Sequence, residues 1–225
     1  MVSAIIVAAG QGNRMTGVED KLRLDVAGLP VVGHAWKAMD SHPEIDEVVL
    51  VVRDCARPWF NDLANSLRPG KPFVFASGGE ERQDSVTNGM AAISENSQWV
   101  AIHDGARPCV AARTITDTLA KARETGAAVT ATAVTDTLKM SDSVDRIARN
   151  VDRSNLWSVQ TPQIFARDIF TRALEAVHSQ GTTVTDDTAA CELISQPVTL
   201  VANSTANPKV TTPADVPFVE HLLKS

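Results

Sequence analysis

The sequence predicts an α/β domain built on a doubly wound, mainly parallel sheet, and three observations carry that expectation. Short apolar segments recur at residues 2–8, 48–52, 72–76, 99–103 and 127–134, several of them almost continuous in Val, Ile and Ala. Strands of that composition are covered on both faces, as in a parallel sheet. Between them lie residues 31–41, 59–67, 83–94 and 111–124, each long enough for a crossover helix. This alternation marks βαβ units, whose crossovers are right-handed and whose ligand cleft opens at the carboxyl ends of the strands. Finally, glycine-bearing polar segments follow directly on the first, third and fourth of these strands, at the end where such a cleft would open.

A chain of 225 residues with 44% apolar side chains can bury a full core, so one domain spanning residues 1–225 is expected. Its longest apolar runs, residues 4–9 and 48–52, fall far short of the ~20 residues of a membrane span. No basic segment precedes a long apolar stretch at the start, so we expect a cytoplasmic protein without a membrane partner. Cys55, Cys109 and Cys191 are odd in number, far apart and in no CxxC pair, which argues against a disulfide framework or a structural zinc site. A net charge of −6 argues against a nucleic-acid partner, whereas a small-molecule site depends on local Arg and Lys.

Along the chain, the strand at 2–8 runs into Ala8-Ala9-Gly10-Gln11-Gly12-Asn13-Arg14-Met15. Two glycines let backbone approach a ligand, successive N–H groups can cradle an anion, and Arg14 with Lys21 adds positive charge for phosphate. Met15 stands where the dinucleotide fingerprint needs its third glycine, which separates this chain from nicotinamide-dependent oxidoreductases. Taken alone, the segment also fits a tight turn with a solvated arginine. After the strand at 72–76 comes Gly78-Gly79-Glu80-Glu81-Arg82-Gln83-Asp84-Ser85, in which the Gly78 and Gly79 amides and the Ser85 hydroxyl suit the edge of a base. The same residues also fit a turn followed by a helix cap.

The strand at 99–103 leads into His103-Asp104-Gly105-Ala106-Arg107-Pro108. A carboxylate at a strand's carboxyl end, three residues before an arginine, suits a metal–phosphate site with Asp104 as ligand, and fits a structural ion pair equally well. His103 reads as a packed, hydrogen-bonded histidine. Residues 135–160 are polar, interrupt the alternation, and are too long for a turn; they predict an extended β-arm used for substrate or dimer contact, or a surface loop. The regular pattern resumes with a helix at 166–179, a strand at 198–202 and a helix at 214–224.

In this order, AAGxGxRM, Lys21, GGEERQDSV, HDGARP, DTLK, VDRSNLWSVQTPQ, TDD and NPKVTTP resemble the 2-C-methyl-D-erythritol 4-phosphate cytidylyltransferase family, from residue 5 to about residue 213. The resemblance implies a Rossmann-like nucleotidyltransferase fold and a homodimer that exchanges the arm at 135–160. It implies CTP as co-substrate, Mg²⁺ as metal and methylerythritol phosphate as acceptor. Carried over, Ala8, Ala9, Gly10 and Gly12 would line the nucleotide loop, and Arg14 and Lys21 would stabilise charge on the triphosphate. Gly79, Glu80 and Ser85 would contact the cytosine. Asp104, Arg107, Thr137, Arg153, Val159, Thr161, Thr185 and Lys209 would hold the acceptor, with Arg153 and Lys209 positioning its phosphate. The chain departs from the family at Leu22-Arg23-Leu24, where an aromatic residue commonly stands second after Lys21. A cytidylyltransferase for ribitol 5-phosphate or another sugar-alcohol phosphate, or a non-catalytic nucleotide-binding module, is the alternative reading.

Overall fold

The computed structural model describes residues 1–10 and 20–224. In chain order the elements are β1 (Val2–Val7), β2 (Asp25–Val26), β3 (Leu29–Pro30), α1 (Val31–Ser41), β4 (Glu47–Val52), α2 (Arg57–Leu67), β5 (Phe73–Ser77), α3 (Arg82–Ala92) and β6 (Trp99–Asp104). Then come α4 (Ala112–Thr125), β7 (Ala127–Ala133), β8 (Leu138–Ser141), β9 (Ile147–Val151), β10 (Trp157–Ala166), α5 (Arg167–Gln180), α6 (Asp187–Glu192), β11 (Thr199–Ala202) and α7 (Val216–Lys224). Seven of the described strands form one sheet in the order β11-β7-β10-β6-β1-β4-β5. The pairs β1–β4, β1–β6, β4–β5 and β7–β11 are parallel, and β10 runs antiparallel to both of its neighbours.

Period-two alternation fixes which face each strand residue serves. In β1, Ala4 and Ile6 join one buried cluster with Trp36 and Met39, while Ile5 joins the other with Val86 and Phe165. β4 repeats this, with Val48, Leu50 and Val52 on one face and Val49 and Val51 on the other. Two covered faces explain why both strands read as unbroken apolar runs. Each such side chain contributes roughly 1.5–3 kcal/mol of burial. In α1, Val32, Trp36 and Met39 follow helical spacing onto the sheet, and the Trp36 ring meets Phe73 edge-on at 5.1 Å. On the opposite face, α3 lies so close to the sheet that a Cβ on Gly89 would sit 2.7 Å from Ile5 Cγ2.

The predicted arm differs in one respect. Its hairpin, β8 with β9, pairs Leu138 with Val151, but residues 157–160 open the long strand β10, which inserts between β6 and β7. Ser158, Gln160, Thr161, Pro162 and Gln163 break the apolar run by which a strand is read. Pro162 falls where the β7 register shifts between Val159 and Gln163, so its missing N–H removes no ladder bond. The short β2–β3 hairpin, with only two residues in each strand, is too brief to show in the apolar pattern.

Candidate active site

The chain leaves β1 for β4 and β5 on one side, then returns to lay β6 on the other, so the sheet's switch point lies between β1 and β6. Their carboxyl ends meet where Val7 pairs with Asp104. A cleft of about 760 Å³ opens there, lined by Ala9, Gly10, Lys21, Gly79, Glu80, Ser85, Asp104 and Lys209 among others. The polypeptide is closely packed at its floor. A Cβ on Gly78 would approach the Ala9 Cβ to 2.3 Å, so the segment after β5 can lie against the segment after β1 only with glycine there. Ala8 is buried, and its N–H donates to the Val51 carbonyl at 2.8 Å.

The backbone amides expected to read a base are already used. Gly78 N–H donates to the Val52 carbonyl at 2.8 Å, and Gly79 N–H donates to Ser85 Oγ at 3.0 Å. Ser85 accepts that bond and still has a hydroxyl proton to give, so the donor on this wall is the side chain. Glu81 and Asp84 close a capping box that fixes the start of α3. Gly12 and Arg14 lie outside the described residues.

Asp104 is the electrostatic centre. Its Oδ1 accepts from Arg82 at 2.8 Å, and its Oδ2 meets Lys209 at 2.8 Å and Arg107 Nε at 3.4 Å. Burial by itself would raise this carboxyl, but Arg82, Lys209 and Arg107 outweigh it and hold Asp104 well below the usual carboxylate range. Arg82 also binds the buried Asp187 at 2.7 Å, and the two carboxylates keep its guanidinium charged despite burial. Three cations against two carboxylates leave the cluster suited to an anion. They also leave Asp104 a poor ligand for Mg²⁺, because an added dication would sit among three positive side chains. Among the described residues no group of three or more His, Cys, Asp or Glu side chains gathers elsewhere to hold a metal.

A smaller cavity of about 140 Å³ adjoins the first, lined by Arg107, Val159, Thr161, Gln163, Thr185 and Asp186, and shares Arg82, Asp104 and Lys209 with it. Its wall is ordered from behind by a buried chain of hydrogen bonds. His103 Nε2 lies 3.0 Å from the Arg107 carbonyl, which can only accept, so the imidazole proton is on Nε2. Nδ1 then accepts from Thr161 Oγ1 at 3.0 Å, and Thr161 in turn accepts from Asp104 N–H at 3.1 Å. Burial pushes His103 down to about 4, which keeps it neutral in that role. Asn207 Nδ2 donates to the Thr161 carbonyl at 2.8 Å, and Arg107 Nη1 donates to the Asn207 carbonyl at 2.7 Å.

Thr137 and Arg153, expected in the acceptor site, are exposed on the arm and line neither cavity. Three further residues of the site are not singled out by the sequence reading. Arg82 and Asp187 form the bridge behind Asp104, and Arg53 lines the larger cleft beside Lys21. Asp187 is the first residue of α6, and Asp186 is its cap, accepting from Ala189 N–H. Arg82 stands inside a contiguous motif, but its two carboxylate partners are 22 and 105 residues away, a convergence that spacing does not reveal.

Comparison with known proteins gives a consistent picture. A family model described as 2-C-methyl-D-erythritol 4-phosphate cytidylyltransferase (IspD) matches residues 2–225. A protein of that name from Pelotomaculum thermopropionicum is 39% identical, over 100% of this chain and 94% of its own length. One from Alteromonas mediterranea is 38% identical, over 99% and 93%. Among solved structures, the 4-diphosphocytidyl-2C-methyl-D-erythritol synthase of Anaerococcus prevotii superposes with a TM-score of 0.87 at 28% identity, covering 100% of this chain and 99% of that one. The cytidylyltransferase from Thermus thermophilus gives 0.83 at 28%, with both chains covered completely. The chain belongs to the 2-C-methyl-D-erythritol 4-phosphate cytidylyltransferase family.

Proposed function

We infer that the chain transfers CMP from CTP to 2-C-methyl-D-erythritol 4-phosphate, giving 4-diphosphocytidyl-2-C-methyl-D-erythritol and pyrophosphate. The observation that carries this reading is the wall of Arg82, Asp104 and Lys209 shared by a large and a small cavity at the switch point. The larger cavity takes the nucleotide, with the Ser85 hydroxyl facing the base. The smaller takes the acceptor polyol, between Arg107, Thr161 and Thr185. At the shared wall a phosphate oxygen of the acceptor forms a bond to the α-phosphorus of CTP, and the bond to the pyrophosphate oxygen breaks. The electron pair leaves with pyrophosphate, and Lys21, with Arg14 assigned by its motif, meets the charge that grows there. Reactions of this kind ask for positioning and charge stabilisation. The attacking monoester is largely dianionic near neutral pH, its second pKa being about 6, so no side chain needs to remove a proton.

Mg²⁺ belongs to the same reading as an ion carried in on the phosphate oxygens of CTP, not as a ligand of Asp104. The working unit is a homodimer in which Thr137 and Arg153 of one subunit serve the smaller cavity of the other. What supports this is their exposure on an arm whose Met140, Val144 and Ile147 are also exposed. Phosphorus NMR of the purified enzyme mixed with CTP, MgCl₂ and methylerythritol phosphate tests the reaction. Coupled diphosphodiester resonances should grow in step with pyrophosphate. Release of pyrophosphate without a coupled product would mean hydrolysis of CTP and would overturn the assignment.

A further inference from the structure

Lys21 sits in a one-turn 3-10 segment, Lys21–Arg23, whose flanking residues are pinned on three sides. Leu22 is buried in the main core cluster. The Arg23 guanidinium lies over the Trp59 ring of α2 at 4.9 Å. Asp20, whose side chain is almost fully buried, pairs with Arg23 Nε at 3.5 Å and does two further things. Its Oδ1 accepts from Leu22 N–H at 3.1 Å and caps the turn, while its Oδ2 accepts from Arg53 Nη2 at 2.6 Å. Arg53 is the first residue after β4, so this charge-assisted bond ties the turn to the carboxyl end of a buried strand. Arg53 lines the nucleotide cleft together with Lys21, and the contact it makes to Asp20 is through Nη2.

We propose that Arg53 is a positioning residue for nucleotidyl transfer: through Asp20 it holds the turn that presents Lys21 to the cleft. This rests on the reading of Lys21 given above. An ammonium on a four-carbon stem is placed only as well as its backbone is, and displacement by about 1 Å can cost up to 10²-fold in rate.

The test is steady-state kinetics, with melting temperatures, on Arg53→Ala, Asp20→Asn, the double variant, Lys21→Ala and Arg53→Ala/Lys21→Ala. Asn at position 20 keeps an oxygen to cap Leu22 N–H and loses the ion pairs with Arg53 and, at 3.5 Å, Arg23, so it carries the test if Arg53→Ala folds poorly. Arg53→Ala and Asp20→Asn should each lower kcat by roughly 10- to 100-fold with the acceptor KM within about twofold. The double variant should be no worse than either single, and Arg53→Ala should add nothing to Lys21→Ala. A raised KM for CTP at unchanged kcat would make Arg53 a direct nucleotide ligand and overturn the proposal, as would additive losses. Lys21→Ala with wild-type kcat would show instead that the reading of Lys21 had failed, whereas a slow Lys21→Ala beside a normal Arg53→Ala sinks this proposal alone.

Discussion

Asp104 joins the two cavities, and the residues around it decide how the site behaves. Lys21→Ala is expected to lower kcat by about 10²–10³ while the acceptor KM changes little, because the lost interaction grows only as pyrophosphate departs. Stopped-flow measurement of pyrophosphate release checks this, and a near-normal kcat would place Lys21 outside the chemistry. His103 gives a pH dependence of known sign. Burial pushes its imidazole down to about 4 from a usual value near 6.5, so between those values the unfolded chain binds a proton that the folded chain refuses. Stability therefore falls as pH drops from about 6.5 towards 4, by on the order of 3 kcal/mol in all. Urea denaturation at pH 7 and pH 4.5 should show a clearly smaller loss in His103→Gln; equal losses would refute the assignment. At this scale the sequence reveals the residues that fall in contiguous motifs, such as Gly79, Ser85, Asp104 and Arg107. It does not reveal Arg82 as the bridge to Asp187, because two ion pairs that meet across 105 residues leave no local pattern.

Elements transmit these placements. α3 carries Arg82 and Ser85, and its closeness to the sheet depends on Gly89, where an added methyl would meet Ile5 and Val51 side chains at 2.7 and 3.0 Å. Gly89→Ala should push α3 outward and cost about 1–3 kcal/mol, read by chemical denaturation. A variant as stable as wild type would show that the packing yields freely. The arm is the other decisive element. If it serves the opposite subunit, Lys21→Ala and Arg153→Ala proteins refolded together yield mixed dimers in which one site of two is intact. Activity should then recover to roughly a quarter of wild type, by the symmetry of a two-fold dimer. No recovery, with mixed dimers shown to form, would assign the arm to its own subunit. The regular strands and crossover helices are legible in sequence because burial on both faces writes itself as continuous apolar runs. β10 is not, since half of it lies exposed on the arm and its buried half carries Thr161, Pro162 and Gln163.

At the scale of the whole molecule, function follows from topology. A sheet that reverses its strand order between β1 and β6 must leave a crevice at their carboxyl ends, and loops from β1, β4, β5 and β6 converge on it. The antiparallel β10 lies against β6 and adds the second cavity beside the first, across one shared charged wall. On the proposed reading, this wall joins CTP to methylerythritol phosphate in particular. The test is pyrophosphate release from CTP, measured with methylerythritol phosphate and ribitol 5-phosphate side by side. kcat/KM for methylerythritol phosphate should exceed that for ribitol 5-phosphate by at least about 10²-fold, the scale set by polar groups of a site left unpaired with the wrong substrate. Equal or greater efficiency with ribitol 5-phosphate would contradict it.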